Sequence, residues 1–237
     1  MKVPLPRKLK AELRDYQREG FTWMARLAEW GAGACLADDM GLGKTLQALA
    51  LLLHRAGEGP ALVVAPTSVC FNWVREAARF APSLRVHSYR EAEREALLGS
   101  LGAGDVLVAS YGLLVRDAER FASVSFATLI VDEAQAVKNP DTVRARAVRA
   151  VKAGARVALT GTPVENSLSE LWSLYALLFP GLLGSRESFR ERFAVPIERA
   201  KDAHARASLA RVVRPFLLRR TKAQVARELP ARIETGG

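Results

Sequence analysis

Short apolar runs alternate along the chain with segments of helical pattern. Five runs stand out: Ala34–Ala37 (ACLA), Ala61–Ala65 (ALVVA), Asp105–Ser110 (DVLVAS), Thr128–Val131 (TLIV) and Arg156–Thr160 (RVALT). None has the apolar–polar alternation of a half-exposed strand. Each is followed by a polar or Gly/Pro-containing turn. Such runs predict strands buried on both faces. Between them lie Thr45–Arg55, Asn72–Phe80 and Arg144–Lys152, which read as helices. The alternation predicts an α/β fold, a parallel sheet flanked by helices in three layers, with ligands at the carboxyl ends of the strands.

Two regions depart from this pattern. Residues 1–30 carry a helical stripe of Leu13, Tyr16, Gln17, Phe21, Met24 and Leu27. Residues 181–237 show no strand signal and read as helical and basic, with breaks at Pro196 and Pro215. The expected organisation is a core lobe over 1–180 and a helical basic extension over 181–237.

Composition narrows the class. Apolar residues make up 49% and charged residues 25%, as in soluble globular chains. The long uncharged stretch Leu171–Ser185 is broken by Pro180, Gly181 and Gly184, which argues against a membrane span there. The basic start MKVPLPRKLK lacks the apolar run of a signal peptide. Two cysteines, Cys35 and Cys70, make no disulfide framework and read as reduced thiols of a cytoplasmic chain. The net charge is +10. Residues 186–237 hold 13 Lys/Arg against 6 Asp/Glu, so +7 of that charge lies there. An excess of this kind points to a polyanion partner but not to a fold.

Three motifs carry chemistry. Met40-Gly41-Leu42-Gly43-Lys44-Thr45 follows a predicted strand and opens a predicted helix, the context a phosphate-binding loop requires. Glycines let the backbone N–H groups face phosphates, and the helix N-terminus adds positive potential. In that role Lys44 reaches the β- and γ-phosphates and Thr45 ligates Mg²⁺. The strict pattern asks for glycine five residues before Gly43, where Asp38 stands. The plainer alternative is a Gly-rich turn that only caps a helix.

The second motif, Leu129-Ile130-Val131-Asp132-Glu133-Ala134-Gln135, places two carboxylates at the end of an apolar strand. Buried acids there call for a cation. Asp132 is the expected Mg²⁺-side carboxylate, and Glu133 is placed to orient or deprotonate an attacking water. Taken alone, Asp132 could equally be a helix N-cap. The third motif, Thr160-Gly161-Thr162, sits just past the last run. Its hydroxyls suit a switch that senses nucleotide, although alone it reads as an ordinary Thr-Gly turn.

Together with Arg14-Asp15-Tyr16-Gln17, VVAPTS (63–68) and FNW (71–73), VLVASY (106–111), VDEAQAVKNP (131–140), LTGTPVEN (159–166) and FLLRRTKAQV (216–225), these blocks resemble the SWI/SNF-type ATPases. Those are DNA-translocating motors of helicase superfamily two, and the DEAQ–KNP form is similar to the bacterial branch. The resemblance runs from Leu13 to Leu229. It implies a RecA-like P-loop fold, with ATP and Mg²⁺ as cofactors. It also accounts for the acid at position 38, where that family's loop normally carries one.

Residue roles follow from the resemblance. Met40, Gly41, Leu42, Gly43, Lys44, Thr45 and Leu46 would bind ATP, with Gln17 at the adenine edge. Gln135 would couple the γ-phosphate to motor movement, and Thr160 with Thr162 would link hydrolysis to DNA. Pro66, Thr67, Ser68, Ser110, Tyr111, Gly161 and Thr162 would face the sugar-phosphate backbone. Arg219, Arg220 and Lys222 form the basic block near the end of the first motor lobe. The two arginines remain open between DNA or inter-lobe contact, a solvated face, and acids of their own fold. Implied partners are double-stranded DNA, a second RecA-like lobe missing from this chain, and a DNA-bound protein, with nucleoid association as the setting.

Other residues read more plainly. Trp23, Trp73 and Trp172 lie in helical apolar patterns and are expected to pack rather than stack on bases. His54, His87 and His204 show no ligand spacing, so no metal is expected beyond nucleotide-bound Mg²⁺. The expectation is an isolated first motor lobe, weakly active alone. A strand-separating helicase and a non-hydrolysing binding module are the alternatives.

Overall fold

The structure is a computed structural model and describes residues 3–90, 94–162 and 167–228. Its strands are β1 (Ala34–Leu36), β2 (Ala61–Ala65), β3 (Arg85–Ser88), β4 (Asp105–Ser110), β5 (Ser125–Val131), β6 (Lys152–Leu159) and β7 (Leu217–Leu218). They form a single sheet in the order β3-β4-β2-β5-β6-β1-β7, and every pairing is parallel. The helices are α1 (Asp15–Glu29), α2 (Lys44–His54), α3 (Thr67–Phe80), α4 (Arg94–Ser100), α5 (Tyr111–Arg116), α6 (Ala118–Ser123), α7 (Val143–Ala150), α8 (Leu168–Leu178), α9 (Arg186–Phe189), α10 (Val195–Arg199) and α11 (Ala203–Val213).

Every residue of β1, β2 and β4 is buried, as uninterrupted apolar runs demand. Each fully buried Val or Leu in such strands contributes about 1.5–3 kcal/mol relative to exposure. Helices α1, α2 and α3 cover one face, where Phe21, Met24, Leu49, Leu51 and Trp73 meet Val63, Val108 and Ile130. Helices α5, α7 and α8 cover the other, where Leu114, Val148 and Tyr175 meet Leu62, Leu107 and Leu129.

Several boundaries differ from the sequence reading. β5 and β6 begin earlier than their apolar runs, pairing from Ser125↔Lys152 onward. Their first residues are partly exposed, so hydrophobicity did not mark them. β3 went unmarked for a related reason. It is an edge strand, and its Arg85 and His87 bond to Asp105 rather than entering the core.

The absence of strands expected in 181–237 is corrected by β7, whose Leu217 and Leu218 pair with Cys35 and Leu36. Apolar packing also crosses the expected division at residue 180. Phe189, Phe193, Ile197, Leu209 and Val213 share one cluster with Leu174 and Tyr175. The Tyr175 hydroxyl donates to the carbonyl of Val213 at 2.6 Å.

Among the described residues, no helix is long and apolar enough to cross a membrane. Both cysteines are buried, and burial pushes the Cys35 thiol up to about 12. The parallel arrangement brings the carboxyl ends of β1, β2, β4, β5 and β6 to one edge of the sheet. All three motifs begin there.

Candidate functional site

The loop after β1 is held by β7 and the segment that follows it. Ala37 N–H donates to Leu218 O, and Asp39 N–H donates to Arg220 O. The chain then turns through Gly41 (φ 87°) and Gly43 (φ 80°), conformations that disfavour any side chain. A Cβ on Gly43 would lie 2.4 Å from Gln17 Nε2, so any larger residue would also have to displace the Gln17 amide. Leu42 anchors the loop by packing against Tyr16 and Val225, and its carbonyl accepts from the Tyr16 hydroxyl at 3.0 Å and Gln17 Nε2 at 3.2 Å. Helix α2 starts at Lys44, and its first-turn N–H groups have no intrahelical partners. This is a curled, glycine-lined anion cradle.

Lys44 Nζ donates to the carbonyls of Asp38 (2.6 Å) and Asp39 (3.3 Å). Partial burial lowers its pKa, against the pull of Asp38, Glu133, Asp132 and Asp39. A desolvated ammonium held on two carbonyls beside an anion cradle fits a phosphate ligand. Asp38, the departure from the strict glycine pattern, is completely buried. It accepts three hydrogen bonds from Arg220: from the backbone N–H (3.0 Å), Nε (3.0 Å) and Nη2 (2.6 Å).

At the end of β5, Asp132 is 6% exposed. Its Oδ2 accepts from the Trp73 indole N–H at 2.8 Å, and its Oδ1 from Glu133 N–H at 2.8 Å. Its carbonyl accepts from the Tyr111 hydroxyl at 2.6 Å. Burial raises the Asp132 pKa, and the bonds from Trp73 and Glu133 oppose that rise. Glu133 follows at φ 50°, ψ 54°, a left-handed conformation that strains a non-glycine residue. Its Oε2 accepts from Gln135 Nε2 at 2.6 Å. Gln135 Oε1 accepts from the Thr160 hydroxyl at 3.1 Å, and Thr160 lies 3.1 Å from the Thr162 hydroxyl. A hydrogen-bonded chain therefore runs from Glu133 at the end of β5 to Thr162 beyond β6. Gly161 closes the circle: a Cβ there would be 3.9 Å from Lys44 Nζ.

A phosphate cradle, an acid pair and a Thr-Gly-Thr turn thus converge on one lysine. Residues 16–235 match the SNF2-related domain. The chain belongs to that family. It is 44% identical over 234 residues to the putative ATP-dependent helicase/translocase YwqA of Bacillus subtilis, covering 95% of this chain and 25% of that protein. It is 39% identical over 240 residues to the ISWI chromatin-remodeling complex ATPase CHR17 of Arabidopsis thaliana, covering 97% of this chain and 22% of that one. The Sulfolobus solfataricus SWI2/SNF2 ATPase core solved in complex with dsDNA superposes with a TM-score of 0.89 at 42% identity, over 97% of this chain and 49% of that one. The SNF2-related chain therefore spans about a quarter of these curated relatives and half of the solved core.

Within this SNF2-related fold, most expected site residues gather at one edge: Gln17, the loop from Met40 to Leu46, Asp132, Glu133, Gln135, Thr160, Gly161 and Thr162. Thr67 and Ser68 are exposed in the first turn of α3, just after Pro66. Residues 163–166 of the quoted blocks lie outside the described residues, as does Leu229 at the end of the resemblance.

Three expectations are corrected. Ser110 and Tyr111 do not offer side chains to a nucleic-acid backbone. Ser110 is buried and caps α5 by accepting from Leu113 N–H at 3.2 Å, and Tyr111 is buried against Asp132. The Arg220 guanidinium likewise turns into the fold, engaged by Asp38, the Tyr16 carbonyl and Gln47. Of the readings left open for it, acids of its own fold prevail. Arg219 lies 3.7 Å from Asp39. Lys222 overhangs the phosphate loop, its Nζ 3.9 Å from where a Gly41 Cβ would stand.

Two roles at the site emerged only from the structure. Arg220 braces the loop, and Trp73 reaches the acid pair. The sequence carried one signal for the first, an acid where glycine is usual, and none for the second.

Proposed function

We propose that this chain is the first motor lobe of an ATPase that couples hydrolysis to translocation on double-stranded DNA. The observation that carries the proposal is the juxtaposition of Lys44 with Asp132 and Glu133, joined through Gln135 to Thr160 and Thr162. In this reading the loop N–H groups and Lys44 bind the phosphates, and Gln17 lies at the base side of the loop. Thr45 and Asp132 are the side chains that would hold nucleotide-bound Mg²⁺. When bound, the ion supplies charge neutralisation at the transferred phosphoryl group. Glu133 orients the attacking water and takes its proton, steadied by Gln135.

Duplex contact is assigned to the exposed start of α3 (Pro66, Thr67 and Ser68) and to Gly161 and Thr162. Such contacts position a backbone without reading sequence. That the Sulfolobus core was solved in complex with dsDNA supports duplex binding in general. Because the chain aligns with 49% of that core, a second lobe is proposed to complete the cleft, with Arg219 and Lys222 facing it. A site that shares its transition-state stabilisation with another lobe turns over slowly alone.

The test is ATP turnover by the purified chain with and without duplex DNA, alongside Lys44→Ala and Glu133→Gln. Both variants should lose hydrolysis, by about 10²–10⁴-fold for Glu133→Gln, which should still bind ATP. Normal hydrolysis by Glu133→Gln would reject the base assignment. Robust DNA-stimulated turnover by this chain alone would reject the need for a second lobe.

A further inference from the structure

Trp73 reads in the sequence as a core residue, and it is buried to 1% exposure. Packing does not explain where its one polar atom goes. Within α3, Cys70, Trp73 and Ala77 form the buried face. The indole N–H leaves that face at the sheet's carboxyl edge and donates to Asp132 Oδ2 at 2.8 Å, across 59 residues of sequence. The sheet sets this meeting. β2 and β5 are neighbours with Val64 opposite Val131, and Asp132 N–H donates to Val64 O at 2.8 Å. Helix α3 follows β2 after a single residue, Pro66, so its second turn lies over the end of β5.

We propose that Trp73 is a positioning residue of the nucleotide site, fixing the Asp132 carboxylate through its indole N–H and tying it to the helix that presents Thr67 and Ser68. The inference rests on the ATPase reading above. A carboxylate at the end of a strand can rotate about its Cα–Cβ and Cβ–Cγ bonds. Here one oxygen is held by Glu133 N–H and the other by Trp73, so a single orientation is selected. Partners of this kind orient groups that serve metals, and losing one weakens metal affinity by about 10–100-fold. The opposite face of α3 is exposed at Thr67, Ser68 and Arg75, with Phe71 exposed to 70%. Anything that moves this helix moves the donor to Asp132. Trp23 and Trp172 differ: their indole N–H groups end on the carbonyls of Pro215 and Gly184, neither of them part of the acid pair.

The test compares binding of a fluorescent ATP analogue by the purified 237-residue chain in EDTA and in Mg²⁺, for wild type, Trp73→Phe and Trp172→Phe. Phenylalanine keeps an aromatic ring and removes the N–H. Trp73→Phe should bind like wild type in EDTA and lose about tenfold of the Mg²⁺-dependent gain, while Trp172→Phe keeps it. A purely structural role would weaken both conditions together. An unchanged Mg²⁺-dependent gain in Trp73→Phe overturns the proposal. Should that variant fail to fold, ¹⁵N-tryptophan spectra of wild type and Asp132→Asn decide. The Trp73 indole resonance should shift when the carboxylate becomes an amide, and an unmoved resonance overturns the proposal. Failure of wild type to bind the analogue under either condition would reject the ATPase reading itself.

Discussion

Arg220 grips Asp38 through three hydrogen bonds, from its backbone N–H, Nε and Nη2, across 182 residues of sequence. Asp38 is completely buried at the root of the phosphate loop, and Arg220 lies just beyond the last strand of the sheet. The guanidinium also reaches the Tyr16 carbonyl and Gln47 Oε1, so α1, α2 and the loop converge on one side chain. The acid that replaces a loop glycine is therefore half of a buried ion pair closing the lobe.

Breaking that pair from one side should be expensive. Removing one partner of a buried, hydrogen-bonded pair typically costs about 3–5 kcal/mol, because the remaining charge is left uncompensated. Arg220→Met should lower stability by about that amount, read as a shift of the urea midpoint. Arg220→Lys should recover little, because one ammonium cannot reproduce a planar two-nitrogen grip. The double variant Asp38→Leu/Arg220→Met should be more stable than Arg220→Met alone. If the double variant is worse than either single variant, the ion-pair account is wrong.

The Glu133–Gln135–Thr160 chain predicts a separable defect. Thr160→Val keeps the shape and removes the hydroxyl that donates to Gln135 Oε1 and accepts from Thr162 N–H. The bond to Gln135, as one neutral hydrogen bond, is worth about 0.5–1.5 kcal/mol, or about 2- to 12-fold in rate if it acts only in the transition state. ATP affinity should hold while turnover falls by that factor. A matching loss in affinity would mean that Thr160 serves binding rather than hydrolysis.

What could be read from the sequence followed from local pattern. β2 and β4 were legible to the residue because both faces are buried and no polar position interrupts them. The loop and the acid pair were legible because each sits within a few residues of a strand end. β3 was not, because an edge strand can carry Arg85 and His87. β7 was not, because two residues carry no period and its stability comes from pairing with β1. The roles of Arg220 and Trp73 depend on partners 182 and 59 residues away, which no local pattern encodes. Ser110 and Tyr111 fell in the expected block, but capping and burial claimed their side chains.

Acid stability should depend on Asp105. Burial pushes its pKa up, but bonds from Arg85, His87 and Gly102 N–H outweigh that and hold it down at about 2. A carboxylate with a depressed folded pKa stabilises the fold above its unfolded value, and that stability is lost as pH falls through the folded value. The window here runs from about 4 to about 2. Arg85 is largely in water, so screening limits the contribution to about 1–2 kcal/mol. Asp105→Asn should be less stable than wild type at pH 6, and the gap should shrink as pH falls through that window. Parallel stability curves for the two proteins from pH 6 to 2 would contradict this assignment.

Glu133 supplies a test of strain at the site itself. Its left-handed backbone disfavours a Cβ by about 1–2 kcal/mol, and glycine escapes that penalty. Glycine also carries more entropy in the unfolded chain, which offsets about 0.5–1 kcal/mol. Comparing Glu133→Gly with Glu133→Ala isolates the effect, because both remove the carboxylate and its bond to Gln135. Glu133→Gly should be the more stable by about 0.5–1 kcal/mol, with both variants inactive. Equal melting of the two would mean that the backbone relaxes without the glutamate. A more stable Glu133→Gly would show that the lobe gives up stability to aim the carboxylate proposed as the base, as strained sites in working enzymes do.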